Sequence, residues 1–421
     1  MKKIVYILIL SVLTLTGVVS CDVMDQYPHN AVSREQITEE DLGLLHVGLY
    51  NYMQHKPSFT GYFQPEMAGG DFVRGGASSY ATPELWIMDC VTPINDWVTT
   101  PWQGYYTCLY QVNEFITVAL PFKGTKAVNN MLGDAYYFRA LIYYNLVSRY
   151  RNVMILRAAT NEAIPNSTEA EGWNFVVENL ELAAGLCADF TDKHYVSKQA
   201  VYALMARTKL AQGKKKEAAD YAMKLINDSN FALANFDQIF REKDNKEEIF
   251  TFLNSKEENG INFANSFYKT ATYRPSEEVI NLFDGADKRY SISIYQDSDE
   301  IVLNKYNNKT TTNPIIVSRL AEMYLIAAEG YGVSNGLQYL NKLREKRGLG
   351  SVSVKNESEL IDAVLAERRL EFLGEGFRWF DLVRTGKYTT VLNLPEKYTV
   401  FPIPQKERDL NSNLQQNELW K

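Results

Sequence analysis

The side chains that could break or form bonds in this 421-residue chain are few and scattered. The four histidines, His29, His46, His55 and His194, show neither a His-Glu-x-x-His nor any other zinc spacing. No Gly-x-Ser-x-Gly nucleophile turn is present. Gly374 and Gly376 form a lone glycine pair with no strand before it, which carries no nucleotide signal, and Asp284-Gly285-Ala286-Asp287 lacks the spacing of a calcium loop. Glu371 and Glu375, one helical turn apart, are the best carboxylate pair for acid–base work. A glycosidase needs one such acid with a raised pKa, and Arg368, Arg369 and Arg378 nearby should lower both. The composition favours contact over catalysis: 27 Tyr, 20 Phe and 6 Trp supply flat apolar faces, many with a polar tip.

One residue has a chemical setting of its own. Cys21 closes a leader made of a basic start (Lys2-Lys3), an apolar run from Ile4 to Leu15, and Val18-Val19-Ser20. This is the layout of an export signal, and the run is too short and too interrupted for a membrane span. The Val-Val-Ser-Cys junction resembles a bacterial lipobox, which makes Cys21 the expected lipidation site and the new N-terminus. Each buried methylene of an acyl chain contributes roughly 0.8 kcal/mol, so several chains on one cysteine anchor stably. Loss of residues 1–20 removes Lys2 and Lys3 and takes the net charge from −7 to −9. That balance argues against nucleic acid as a partner. Cys90, Cys108 and Cys187 allow at most one disulfide; a Cys90–Cys108 bridge is left open, and Cys187, in an apolar helical run, reads as a buried thiol.

The elements that must position these side chains are mostly helical. A helix is expected over about Glu39–Gln54. Residues 55–104 carry so many Gly and Pro that loops are expected, and aromatic loops of this length are usually functional. Three- and four-residue apolar steps then predict helices from about Trp102, over Asn129–Tyr150 and over Thr168–Asp189. Ser197–Gln212 and Lys214–Asp228 read as a helical hairpin close in length to a tetratricopeptide unit, and Ile316–Arg347 as a second. Glu248–Leu253 and Glu300–Tyr306 read as strands.

The C-terminal third is more specific. Val317-Ser318-Arg319-Leu320-Ala321-Glu322, Leu340-Asn341-Lys342-Leu343-Arg344, Glu367-Arg368-Arg369-Leu370-Glu371-Phe372, Arg378-Trp379-Phe380-Asp381-Leu382-Val383-Arg384-Thr385-Gly386 and Phe401-Pro402-Ile403-Pro404 follow one another in order. Together with Tyr137-Phe138-Arg139-Ala140 and Tyr273-Arg274-Pro275-Ser276, this set closely resembles the SusD/RagB family of Bacteroidota nutrient-binding outer-membrane lipoproteins. One departure is Arg151-Asn152-Val153-Met154, where the family usually has Gly-Asp-x-Pro; it puts the local loop geometry in question.

The resemblance implies a mainly α, tetratricopeptide-like scaffold of helical hairpins with loop excursions and a few short strands. The expected divisions are a leader (1–20), a tether (21–38), an N-terminal region with aromatic loops (39–230) and a C-terminal region (231–421), in one globular unit. It also implies a surface protein that captures oligosaccharide and passes it to a TonB-dependent, SusC-like outer-membrane channel, with no cofactor, metal or catalytic residue called for. Aromatic platforms would cover sugar faces while polar groups bond the hydroxyl edges. Trp86, Trp97, Tyr80, Asp71 and Arg74 are the expected ligand-binding residues. A peptide ligand on the same architecture and a surface glycoside hydrolase are the alternatives.

Overall fold

A computed structural model describes residues 34–75, 82–160, 162–241, 244–254, 260–297, 300–307 and 313–421. Eight long helices dominate its first half: α1 Leu42–His55, α2 Ser58–Ala68, α3 Pro83–Cys90, α4 Asp96–Ala119, α5 Lys126–Tyr150, α6 Glu169–Leu186, α7 Lys198–Ala211 and α8 Lys215–Ile226. Three more carry the second half: α9 Leu320–Lys346, α10 Glu357–Glu371 and α11 Arg378–Arg384. Polar caps start several of them. Thr168 and Glu171 close a reciprocal capping box on α6, and Ser197 Oγ accepts from the Ala200 N–H at 3.2 Å to open α7.

Helices adjacent in chain order pack on one another: α5 on α6, α7 on α8, and α9 on α8 and α10. The hairpin predicted at 197–228 is present. The second predicted pair is also present, divided at Gly332, whose φ of 69° only glycine adopts easily and whose missing Cβ leaves room for the Glu357 carboxylate. Its start differs from expectation, because residues Ile315–Arg319 are not helical but form a strand, β6. The β-branched run Ile315-Ile316-Val317 pairs antiparallel with β2, Glu248–Phe252, whose five residues are all buried. The remaining strands are β1 Phe72–Arg74, β3 Tyr273–Pro275, β4 Ile294–Asp297 and β5 Glu300–Leu303, in the antiparallel pairs β1·β3 and β4·β5.

Residues 55–104 overturn the expectation of loops. They hold α2, α3 and the start of α4. Pro83 sits in the first turn of α3, where a missing N–H costs nothing. Pro65 and Pro101 lie inside helices, and the carbonyls they would strand are taken up by side chains, as described below. At the family-atypical loop, Arg151 takes a φ of 56°, a conformation that glycine occupies without strain. Cys90, Cys108 and Cys187 are all buried and none is in a disulfide, so Cys90 and Cys108 are not bridged. Among the described residues no helix is long and apolar enough to cross a membrane.

Candidate functional site

The short ribbon β1·β3 organises the candidate ligand face. Its register pairs Phe72 with Pro275, Val73 with Arg274 and Arg74 with Tyr273. The ribbon is fixed at both ends by backbone bonds, Gly75 N–H to Thr272 O at 2.9 Å and Ser276 N–H to Asp71 O at 2.8 Å. Because side chains alternate along a strand, Arg74 and Tyr273 share one face and Val73 and Arg274 the other.

The first face is aromatic. The half-buried Tyr273 ring stacks on Phe59 at 5.7 Å and meets the half-buried Trp97 edge-on at 5.7 Å. Burial raises the Tyr273 phenol above its ordinary range, and the neighbouring Arg74 opposes that shift. Nearby, Tyr268 and Tyr295 stack nearly parallel, 5.8 Å apart, with Tyr295 exposed. The second face borders a polar groove of about 510 Å³, whose walls include Arg274, Glu84, Glu278 and Arg369.

The expected site residues separate in this geometry. Trp97 and Arg74 lie at the aromatic face. Trp86 is only 1% exposed; it stands perpendicular to Trp97, 4.8 Å away, and supports that ring from behind. Asp71 is fully buried, paired with Arg369 at 2.6 Å and facing Arg378 at 3.8 Å, so it ties β1 to α10 and α11 and offers a ligand no surface. Tyr80 lies outside the described residues, as does Cys21. Tyr273 was visible in the sequence as part of the Tyr-Arg-Pro-Ser motif, but only the ribbon pairing shows that it joins Arg74 and Trp97. Nothing in the sequence signalled that Tyr295 would meet Tyr268, because their approach depends on the β4·β5 hairpin.

The backbone beneath Trp97 is held by an unusual relay. Pro101 cannot donate to the Trp97 carbonyl, and the Gln64 side-chain amide donates to it instead. Pro65 likewise cannot serve the Gly61 carbonyl, which accepts from Arg149 Nη2 at 2.7 Å. Arg149 Nε then donates to Gln64 Oε1 at 3.1 Å, closing the chain between the two helices. Gln64 and Arg149 are 0% and 2% exposed, and their burial is explained by these two orphaned carbonyls.

The carboxylates considered for acid–base work belong to a buried charge network. Glu371 accepts from Arg319, Arg347 and Arg289 at 2.5, 2.7 and 3.0 Å. Burial alone would raise its pKa, but Arg347, Arg319 and Arg289 overcome burial and hold it well below the usual carboxylate range. Glu375 is held low against burial by Arg319 and Lys305. The direction agrees with the sequence reading, but the arginines differ. Arg368 pairs with Asp381 and Arg369 with Asp71, whereas the partners of Glu371 come from segments distant in sequence. Glu66 behaves oppositely: burial, with Asp71 adding to it, pushes its pKa up to about 8 despite N–H bonds from Gly374 and Gly376 at 2.9 and 2.8 Å. Those glycines have φ of 82° and 81°, which explains the lone pair in the sequence. Glu66 is 1% exposed and Asp71 0%, so this acidic pair has no access to a substrate.

A sequence profile described as "SusD family" matches residues 143–398, and one described as "Starch-binding associating with outer membrane" matches residues 22–210. SusD-like protein P38 of Formosa agariphila is 24% identical, with 94% of this chain and 95% of that protein covered. A SusD-like protein of Bacteroides ovatus is 21% identical, covering 73% of this chain and 68% of the relative. Among solved structures, a laminarin-binding SusD-like protein superposes with a TM-score of 0.77 at 22% identity, covering 90% of this chain and 99% of the other. Surface glycan-binding protein A from Bacteroides uniformis gives 0.79 at 21% identity, covering 91% and 100%.

Proposed function

This chain belongs to the SusD family, and we propose on that footing that it captures an oligosaccharide at the outer face of the outer membrane and hands it to a TonB-dependent, SusC-like channel. The observation that carries the reading is the Arg74–Tyr273–Trp97 face. Two half-buried rings meet edge-on, and a guanidinium stands directly across the ribbon from one of them. Such a surface gives a sugar ring an apolar platform and its hydroxyl edge a donor. The laminarin- and glycan-binding functions named for the two solved relatives support a glycan as the ligand class.

The protein acts by binding, without catalysis. Glu371 and Glu375 are held ionised by Arg319 and neighbouring cations, and Glu66, the acid with a raised pKa, is sealed beneath the surface. Lipid on Cys21 would supply the anchor, since the acidic chain gains nothing from anionic lipid.

Glycan-array screening followed by titration calorimetry tests the reading. Saturable binding of a glycan is expected, with Trp97→Ala and Tyr273→Ala each weakening it at least tenfold. Binding only to peptide mixtures, or full affinity retained in both variants, would overturn it. Co-purification with a barrel protein from membranes, lost when Cys21→Ala releases the chain, tests the delivery step.

A further inference from the structure

The groove on the second face of the β1·β3 ribbon carries charges that the aromatic platform does not use. Its walls hold three carboxylates, Glu84, Glu277 and Glu278, against two guanidiniums, Arg274 and Arg369. Arg369 is already committed. It donates to Asp71, behind the wall, at 2.7 Å and to Glu278 at 2.9 Å. Asp71 also faces Arg378 at 3.8 Å, so this hidden pair cancels and the wall keeps its acidic excess. Among the described residues Glu84 and Glu277 have no hydrogen-bond or ion-pair partner. Glu84 is half-buried, where water and salt screen its charge less than at an open surface.

The start of α3, which forms part of the same wall, does not offset this charge. A helix N-terminus ordinarily attracts anions through its free N–H groups. Here Pro83 has none, and the N–H groups of Leu85 and Trp86 go to Thr82 Oγ1 and Thr82 O, both at 3.4 Å. Glu84 itself places a carboxylate in that first turn. A ligand entering the groove therefore meets an unspent acceptor. Sugar hydroxyls and ammonium groups donate to a carboxylate, and the charge strengthens the bond. A uronate or sulfate group would instead set like charge against Glu84.

The groove, about 510 Å³, is in the size range of small-molecule sites. It also shares its elements with the platform. Arg274 follows Tyr273 on β3, and Glu84 begins the helix whose Trp86 backs Trp97. We propose that the groove holds a further unit of the captured glycan and that Glu84 sets its charge class: neutral and amino-bearing sugars enter, whereas uronic and sulfated ones are turned away. The inference rests on the glycan reading above and narrows it.

The test is an array of neutral, amino, uronic and sulfated oligosaccharides, followed by calorimetry at low and high salt. The calorimetric probes are the strongest array ligand and a uronic oligosaccharide of the same length. The strongest ligands are expected to be neutral or amino-bearing. Glu84→Gln keeps the shape of the side chain and removes its charge. It should tighten the uronic probe at least fivefold at low salt and leave it unchanged at high salt. Glu40→Gln removes the same charge from an exposed site outside the groove and should alter neither probe. A purely structural role for Glu84 at the helix start would shift the melting temperature without moving this salt-dependent discrimination. Val391→Trp, at an exposed position on the groove wall, should fill the space and weaken the strongest ligand at least tenfold in a protein of native circular dichroism. The proposal is overturned if uronic or sulfated glycans bind best, if Glu84→Gln discriminates as the wild type does, or if Val391→Trp binds normally. Absence of binding to every glycan would refute the capture reading itself, and this inference with it.

Discussion

The Gln64–Arg149 relay makes a prediction that ordinary packing would not. In Arg149→Met the Gly61 carbonyl and Gln64 Oε1 lose their donor inside the protein. A buried acceptor left unsatisfied costs about 1–3 kcal/mol, so the pair should cost roughly 2–6 kcal/mol. Loss of the guanidinium over the Tyr105 and Phe380 rings, 5.4 and 5.2 Å away, adds about 1 kcal/mol. Packing loss alone could mimic such a number, so the informative measurement is a double-mutant cycle with Pro65→Ala. Alanine at 65 restores the N–H that a helix directs to the Gly61 carbonyl, and the Arg149→Met penalty should then shrink by about 1–3 kcal/mol. Urea unfolding followed by circular dichroism reads all four corners. If the two substitutions add to within about 0.5 kcal/mol, Arg149 does not stand in for the missing proline donor and the relay is incidental.

Glu371→Gln should destabilise the fold by about 3–5 kcal/mol, because breaking a buried pair leaves cations uncompensated; a loss below about 1 kcal/mol in chemical denaturation would contradict the network. The sign with pH follows from its depressed pKa. The stability Glu371 contributes is fully present above the carboxylate's unfolded value and is lost as pH falls through its low folded value, so wild type and Glu371→Gln should converge only in acid. Glu66 has the reverse sign: its folded pKa of about 8 exceeds the ordinary 4.5, so it withdraws stability as pH rises from about 4.5 to about 8. Glu66→Gln should therefore flatten the melting temperature across that window, and an unchanged slope would refute the assignment. Arg151→Gly relieves a φ of 56° and should stabilise by about 1 kcal/mol, read as a higher urea midpoint with unchanged m-value. Cys90, Cys108 and Cys187 should resist iodoacetamide in the native protein and all react in urea, as mass spectrometry would show.

Long-period features were the legible part of the sequence. The hairpin of α7 and α8, the starts of α6 and α7 near Thr168 and Ser197 and the division of α9 into two followed from apolar spacing, because this is a local property of a helix. Residues 55–104 were misread because Pro65 and Pro101 are helix breakers only when their stranded carbonyls find no donor, and the donors, Arg149 and Gln64, are remote in sequence. The same limit applies to the candidate site. Trp97 and Arg74 could be nominated from composition alone, whereas the burial of Trp86 and Asp71 depends on helices that pack over them. Arg368, Arg369 and Arg378 were the cations the sequence set beside Glu371, yet its partners arrive from positions 289, 319 and 347.

The segment after residue 399 threads back through the first half of the chain. Phe401 N–H bonds Arg149 O, Gln405 N–H bonds Pro93 O, and the Asn411 and Asn413 amides reach Ile164 O and Ala163 O. The backbone of the relay arginine thus waits on a residue made about 250 positions later. Helices near the N-terminus can form as they emerge, but they cannot lock until residues 401–413 have been made.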